Sequence, residues 1–139
     1  MTQADFNVNE LKSGIQKDPQ VVTLPSGGFF VTWCGMVSNQ FGNLIDSRGI
    51  MGRRFSFPIN SPAFTEIYVN TTDQDIQESP NIGVFSTGHF IIIWQSENQD
   101  YGGLGIIGIY GQRFDQNCNK EGIEFLINVT EENKQEIVD

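Results

Sequence analysis

Apolar residues in this chain gather into short runs, each closed by glycine, proline or a polar cluster. Few stretches keep a helical period, so the pattern predicts strands. From Gly88 to Phe114 the text is GHFIIIWQSENQDYGGLGIIGIYGQRF, an apolar run, a polar glycine-bearing loop and a second apolar run. That is a hairpin. The same text stands earlier, less regular, from Gly27 to Phe55. Taken in order, the predicted strands are an a strand (Val21–Leu24), b (Phe29–Trp33), c (Ile50–Phe55) and d (Ile67–Asn70). A second set follows, with a at Ile82–Phe85, b at Phe90–Trp94, c at Ile107–Phe114 and d at Phe125–Asn128. Phe6–Asn9 reads as an extra d-like strand before the first set, so nine strands are expected.

The two sets are copies. Trp94 follows Trp33 by 61 residues, and Asn9/Asn70, Gln16/Gln77, Pro19/Pro80, Gly27/Gly88 and Phe29/Phe90 keep that spacing. Past the b–c loop the spacing falls to 59, pairing Gly52 with Gly111, Arg54 with Arg113 and Phe55 with Phe114. Loops absorb such length changes at least cost. A third copy starts near Ile123, pairing Asn128 with Asn70 and Gln135 with Gln77. The chain therefore divides into repeat 1 (about 6–63), repeat 2 (about 64–122) and a partial third repeat (123–139), in one repeat domain spanning 1–139.

The a–b turns, PSGG and STGH, offer glycine for positive φ in a tight hairpin. Pro19 and Pro80 fall just before strand a, where a missing N–H costs no ladder bond. Gly52 and Gly111 inside strand c suggest a bulge or the close approach of a neighbour. Strand b is nearly all apolar, as a strand covered on both faces should be. Four-stranded units repeated at this period point to an all-β fold of two tandem, antiparallel, propeller-blade-like repeats plus the extra strand.

Composition adds exclusions. With 8 Lys and Arg against 17 Asp and Glu, the formal charge is −9. Such a surface repels phosphate backbones and anionic bilayers, which disfavours nucleic acid and membrane partners. No run reaches the length of a membrane span. The opening MTQADFNVNELKSG has neither a basic n-region nor an apolar h-region, so it does not read as a signal peptide.

Beyond these patterns, IYVN, Gln77, Pro80, FIIIW, SENQDYGGLG and IYGQRFD resemble the repeat of large secreted multi-repeat proteins, whose units run EF-x-VN, Q, P, GGFVVTW, a QDG-type loop and GIYGQRFD. Repeat 1 matches less well, with RRFSF in place of QRFD. The resemblance implies propeller-like blades and an extracellular setting. It implies no activity.

Candidate chemistry is sparse. His89, the one histidine, lies in a turn and faces Gly28 in the repeat alignment, so a solvated turn residue is expected rather than a catalytic base. Cys34 and Cys118 leave two readings open, a disulfide across the repeats or a buried thiol and an exposed one. Glu97, Asn98 and Asp100 make an oxygen-rich loop that can hold calcium, but the spacing is not that of an EF-hand and a plain hairpin loop is expected. No other cofactor is implied. Gln16, Gln77 and Gln135 are expected to bond backbone groups on the d–a connection. Arg54 and Arg113 are expected to stack or to bridge blades. Asn70 and Asn128 open equivalent N-x-[ST] sequons and are expected to carry N-glycans in a secreted protein.

The functional expectation is a non-enzymatic, extracellular structural repeat that assembles with copies of itself. The alternative is a carbohydrate-binding propeller using Trp94, Arg113 and Asp100. Two abc sets cannot close a ring, since propellers take about four to eight blades. A surplus d strand, Phe6–Asn9 (Phe6, Val8) or Phe125–Asn128 (Phe125, Ile127), should then pair with a neighbouring copy, giving a ring or a fibre.

Overall fold

A computed structural model describes residues 5–10, 14–38, 44–57, 64–71, 76–97 and 107–128. The described residues are all-β. The strands are β1 (Gln16–Thr23), β2 (Phe29–Ser38), β3 (Leu44–Phe55), β4 (Ile67–Tyr68), β5 (Gln77–Val84), β6 (Phe90–Glu97), β7 (Ile107–Phe114) and β8 (Lys120–Leu126). They form two four-stranded antiparallel sheets, β1-β2-β3-β4 and β5-β6-β7-β8, each in chain order. The two blade-like repeats are present. Phe6–Asn9, however, is not a strand and joins neither sheet.

Three hairpin turns share one geometry. Leu24 N–H donates to Gly28 O and Gly27 N–H back to Leu24 O; Phe85/His89 with Gly88, and Asp115/Asn119 with Cys118, repeat the pattern. The fourth residue takes positive φ each time, at 105° for Gly27, 92° for Gly88 and 65° for Cys118. This is a type I turn closed by a bulge residue, which favours glycine. Cys118 manages without one because Asp115 Oδ1 accepts from the Asn117 and Asn119 N–H groups. The Asn119 backbone bond above all lowers the Asp115 pKa. That contribution is complete above the ordinary carboxylate value and is lost as pH falls through the lowered one.

The prolines lie inside strand a, not before it. β1 and β5 each slip register around a residue at φ 56°, Asp18 or Ser79, which precedes Pro19 or Pro80. A bulge removes the ladder bond that proline cannot make. Strand a therefore begins five residues earlier than expected, at Gln16 and Gln77.

Alternation gives each sheet a front and a rear. Phe29, Val31, Trp33, Met51 and Phe55 face the front of the first sheet, and Phe90, Ile92, Trp94, Tyr110 and Phe114 that of the second. The rear of the first sheet packs on the front of the second. Phe30 reaches across to the Phe90–Phe114 stack, 4.9 Å from one ring and 5.9 Å from the other. Leu24, Cys34, Ile50 and Val69 complete this core. Full burial of one such side chain is worth roughly 1.5–3 kcal/mol. β2 is accordingly buried on both faces from Val31 to Gly35, while β6 alternates buried and half-buried.

Gly52 has a packing reason. A Cβ there would stand 2.6 Å from two carbons of the Phe30 ring and 3.3 Å from Val69. Gly52→Ala should lower stability in urea by about 1–3 kcal/mol through overpacking. A combined Phe30→Leu change, which withdraws the ring, should make the alanine much cheaper; equal cost in both backgrounds would contradict this account.

Candidate assembly interface

The surfaces that repeat are those where one sheet meets the next. The tryptophan of strand b is held by the glutamine that opens strand a. Trp33 Nε1 donates to Gln16 Oε1 at 2.9 Å, and Trp94 Nε1 to Gln77 Oε1 at 2.8 Å. The glutamine was expected to bond backbone on a connection; it sits in the strand and serves the indole. The signal was present in the sequence as the spacing of 17 residues in both repeats. Gln77 and Trp94 are fully enclosed, because the first sheet covers them.

Strand d ends on a second repeated device. Val69 N–H donates to Ile50 O, and Ile50 N–H to Asn70 Oδ1 at 2.7 Å. Ile127 N–H and Asn128 Oδ1 make the same pair of bonds to Ile109. The asparagine thus stands in for a ladder carbonyl. Its recurrence, which suggested two glycans, has this structural cause. Asn70 is 6% exposed. Asn128 is half-buried.

Val69 also packs forward into the core over the second sheet, and Thr71 N–H donates to Glu124 Oε1 at 2.6 Å. Over the first sheet, Phe6 to Glu10 repeat this arrangement. Val8 packs on the Val31, Trp33, Met51 and Phe55 cluster. Glu10 N–H donates to Glu66 Oε2 at 2.7 Å, and Glu66 N–H returns to Glu10 Oε1. Arg53 Nη1 donates to Val8 O, and Phe6 lies against Phe55 at 5.6 Å. The expected extra strand is thus the end of a d segment, seated on the front face without a strand c behind it.

The outward faces are apolar but not equally covered. On the rear of the second sheet, Ile107 is 40%, Phe125 36% and Ile127 42% exposed. Ile127, Phe125 and Ile93 gather over Gly111 as Val69 and Phe30 gather over Gly52.

Other expected sites fall apart. Cys34 and Cys118 are both free thiols. Cys34 donates to Gln77 O at 3.2 Å, at the tryptophan end of the core. Cys118 lines a cleft of about 220 Å³ with Phe30, Arg54 and Phe64. Four residues of β2 separate Phe30 from Cys34, about 13 Å at strand rise, beyond the reach of a disulfide. Burial raises the Cys118 pKa, which makes the thiol a poor nucleophile at neutral pH. Trp94 is 1% exposed and faces front, whereas Arg113 is exposed and faces the rear, so they form no sugar platform. Asp100, Asn98 and Gln135 lie outside the described residues. His89 bonds Thr87 Oγ1 at 3.0 Å and lies 3.4 Å from Glu121. The side chains of His89 and Glu121 are both exposed, so water competes for the contact. Arg54 stacks over Phe64, in the segment leading to β4 of the same sheet, at 4.8 Å. Among the described residues no three metal-binding side chains cluster, and no helix is long and apolar enough to cross a membrane.

No protein-family model, curated protein or solved structure matches the chain. The functional reading therefore rests on the geometry.

Gln77→Leu should destabilise the fold by about 1–3 kcal/mol, the cost of leaving the enclosed Trp94 N–H without an acceptor. Chemical denaturation with Trp fluorescence reads it; an unchanged midpoint would show the bond to be dispensable. In the unreduced, denatured protein, thiol titration should find both cysteines free.

Proposed function

We propose that the chain is a non-enzymatic, secreted structural module that joins like modules face to face. The observation that carries this reading is the front-to-rear stacking of two repeat-equivalent sheets. Such stacking leaves one front and one rear face open to the same contact, so the association is heterologous and extends into a ring or a filament. Supporting it, the front of the first sheet carries the apolar cluster Val31, Trp33, Met51 and Phe55, and the rear of the second exposes Ile107, Phe125 and Ile127. The cleft beside Cys118 is lined by that thiol, two arginines and amide side chains. The extracellular setting rests on the resemblance to secreted multi-repeat proteins.

Sedimentation velocity across a wide concentration range tests the reading. The chain should form end-to-end oligomers that grow with concentration, and Phe125→Glu on the rear face should suppress them. The reading falls if the protein stays monomeric up to its solubility limit.

A further inference from the structure

Between the two sheets of one chain, the joint has four matched parts. Phe30 leans on the Phe90–Phe114 stack. Val69 and Asn70 fill the seam while held by Ile50. Cys34 Sγ reaches Gln77 O. Lys17 of the first sheet lies 3.6 Å from Glu78 of the second. The outward faces offer nearly every part again. Phe29 and Phe55 stack at 5.0 Å and 10°, as Phe90 and Phe114 do at 4.8 Å and 2°. Ile91 stands on the rear where Phe30 stands. Ile127 and Asn128 are held by Ile109. Lys17 and Glu78 are repeat equivalents of opposite sign, so Glu78 of one copy meets Lys17 of the next.

One part is duplicated. On the front of the first sheet, the place of Val69 and Asn70 is taken by Val8 and Asn9 of the same chain. It is an imperfect fit. A cavity of about 190 Å³ remains beside Val8, Asn9, Gln16, Pro19, Val31 and Trp33. At the inner joint the counterparts of these residues meet Cys34 and Ile50. Accordingly Pro80 is buried where Pro19 is exposed, and Phe90 is buried where Phe29 is half-exposed.

We infer that Phe6–Asn9 is a plug on the front face, displaced when the rear face of a second copy docks, its Ile127 and Asn128 entering the seam that Val8 and Asn9 leave. This rests on the assembly reading and specifies its joint. The plug leaves rather than β8 because Phe6–Asn9 breaks no sheet ladder on release, whereas β8 is paired to β7 at both ends, through Lys120–Glu121 and Phe125–Leu126. What the plug gives up includes the Arg53–Val8 bond, the Glu10–Glu66 exchange, the Phe6–Phe55 contact and the packing of Val8. Docking replaces these with a full apolar face.

An occupant that must leave first weakens apparent affinity by the fraction of time the slot is free. With the seam open roughly a tenth of the time or less, loosening the plug should tighten self-association about tenfold or more. The test is the dissociation constant by sedimentation velocity on full-length chains, with circular dichroism as the folding check. Phe6→Ser with Val8→Ser loosens the plug from within. Arg53→Gln loosens it from the sheet, and it installs the residue that the second sheet carries at the equivalent position, Gln112. Both should associate more tightly than wild type, and adding Ile127→Glu should reverse the gain. If wild type associates and neither variant associates more tightly, the plug is wrong while the assembly reading stands. A gain that Ile127→Glu leaves intact reports non-specific adhesion and overturns the proposed joint. No association of wild type or variants overturns both.

Discussion

Phe30 leaning on the Phe90–Phe114 stack is the contact that the arrangement depends on. It joins the rear of one sheet to the front of the other, and two four-stranded sheets have too little core to stand apart. The need for a flat-lying ring explains the missing side chain at Gly52. It also explains the difference between the tryptophan pockets. The Gln–Trp pair is fully enclosed in the second sheet, whereas in the first Trp33 is buried and Gln16 only half-buried, because one front face has a sheet over it and the other has a short segment.

Each sheet carries the polar devices that let such a face be buried. The indole N–H of Trp33 and Trp94 has a glutamine acceptor, and the N–H groups of Ile50 and Ile109 have an asparagine oxygen. Buried polar groups of this kind cost little when paired and much when not. Pairing them inside each repeat leaves the centre of the joint to apolar side chains, with Cys34–Gln77 and Lys17–Glu78 as polar contacts beside it. That favours contacts tolerant of small differences, such as Phe30 at one joint and Ile91 at the next. Charge adds direction through Lys17 and Glu78, though an exposed pair of this kind contributes little energy.

Repeat logic also accounts for what the chain does not bring together. A catalytic or sugar-binding constellation needs side chains from several elements converging on one cleft. Here the repeated residues are spent on the fold. Tryptophan fills a seam, asparagine ends a strand, and Arg54 stacks on Phe64 beside its own sheet. The residues that do not repeat, His89 and the two cysteines, lie at unrelated places.

Much of this was legible in the sequence. Alternation and spacing determined that the chain is all-β, that it carries two four-stranded units, and that the two a–b turns need a positive φ; the third such turn, closed by Cys118, carried no glycine to mark it. The spacing of Gln16 to Trp33 and of Gln77 to Trp94 also held the indole bond, since both are local to one sheet. Three things were decided only by the tertiary structure. Burial of Asn70 depends on the second sheet closing over it, which no local pattern around a sequon reveals. The separation of Cys34 from Cys118 depends on which ends of the sheets meet, and residue spacing along the chain does not measure that. Phe6–Asn9 has the residues of a strand, but a strand exists only through its partner. With no strand c beside it, the segment lies on a sheet face as packing, and its identity was set by what surrounds it rather than by its own sequence.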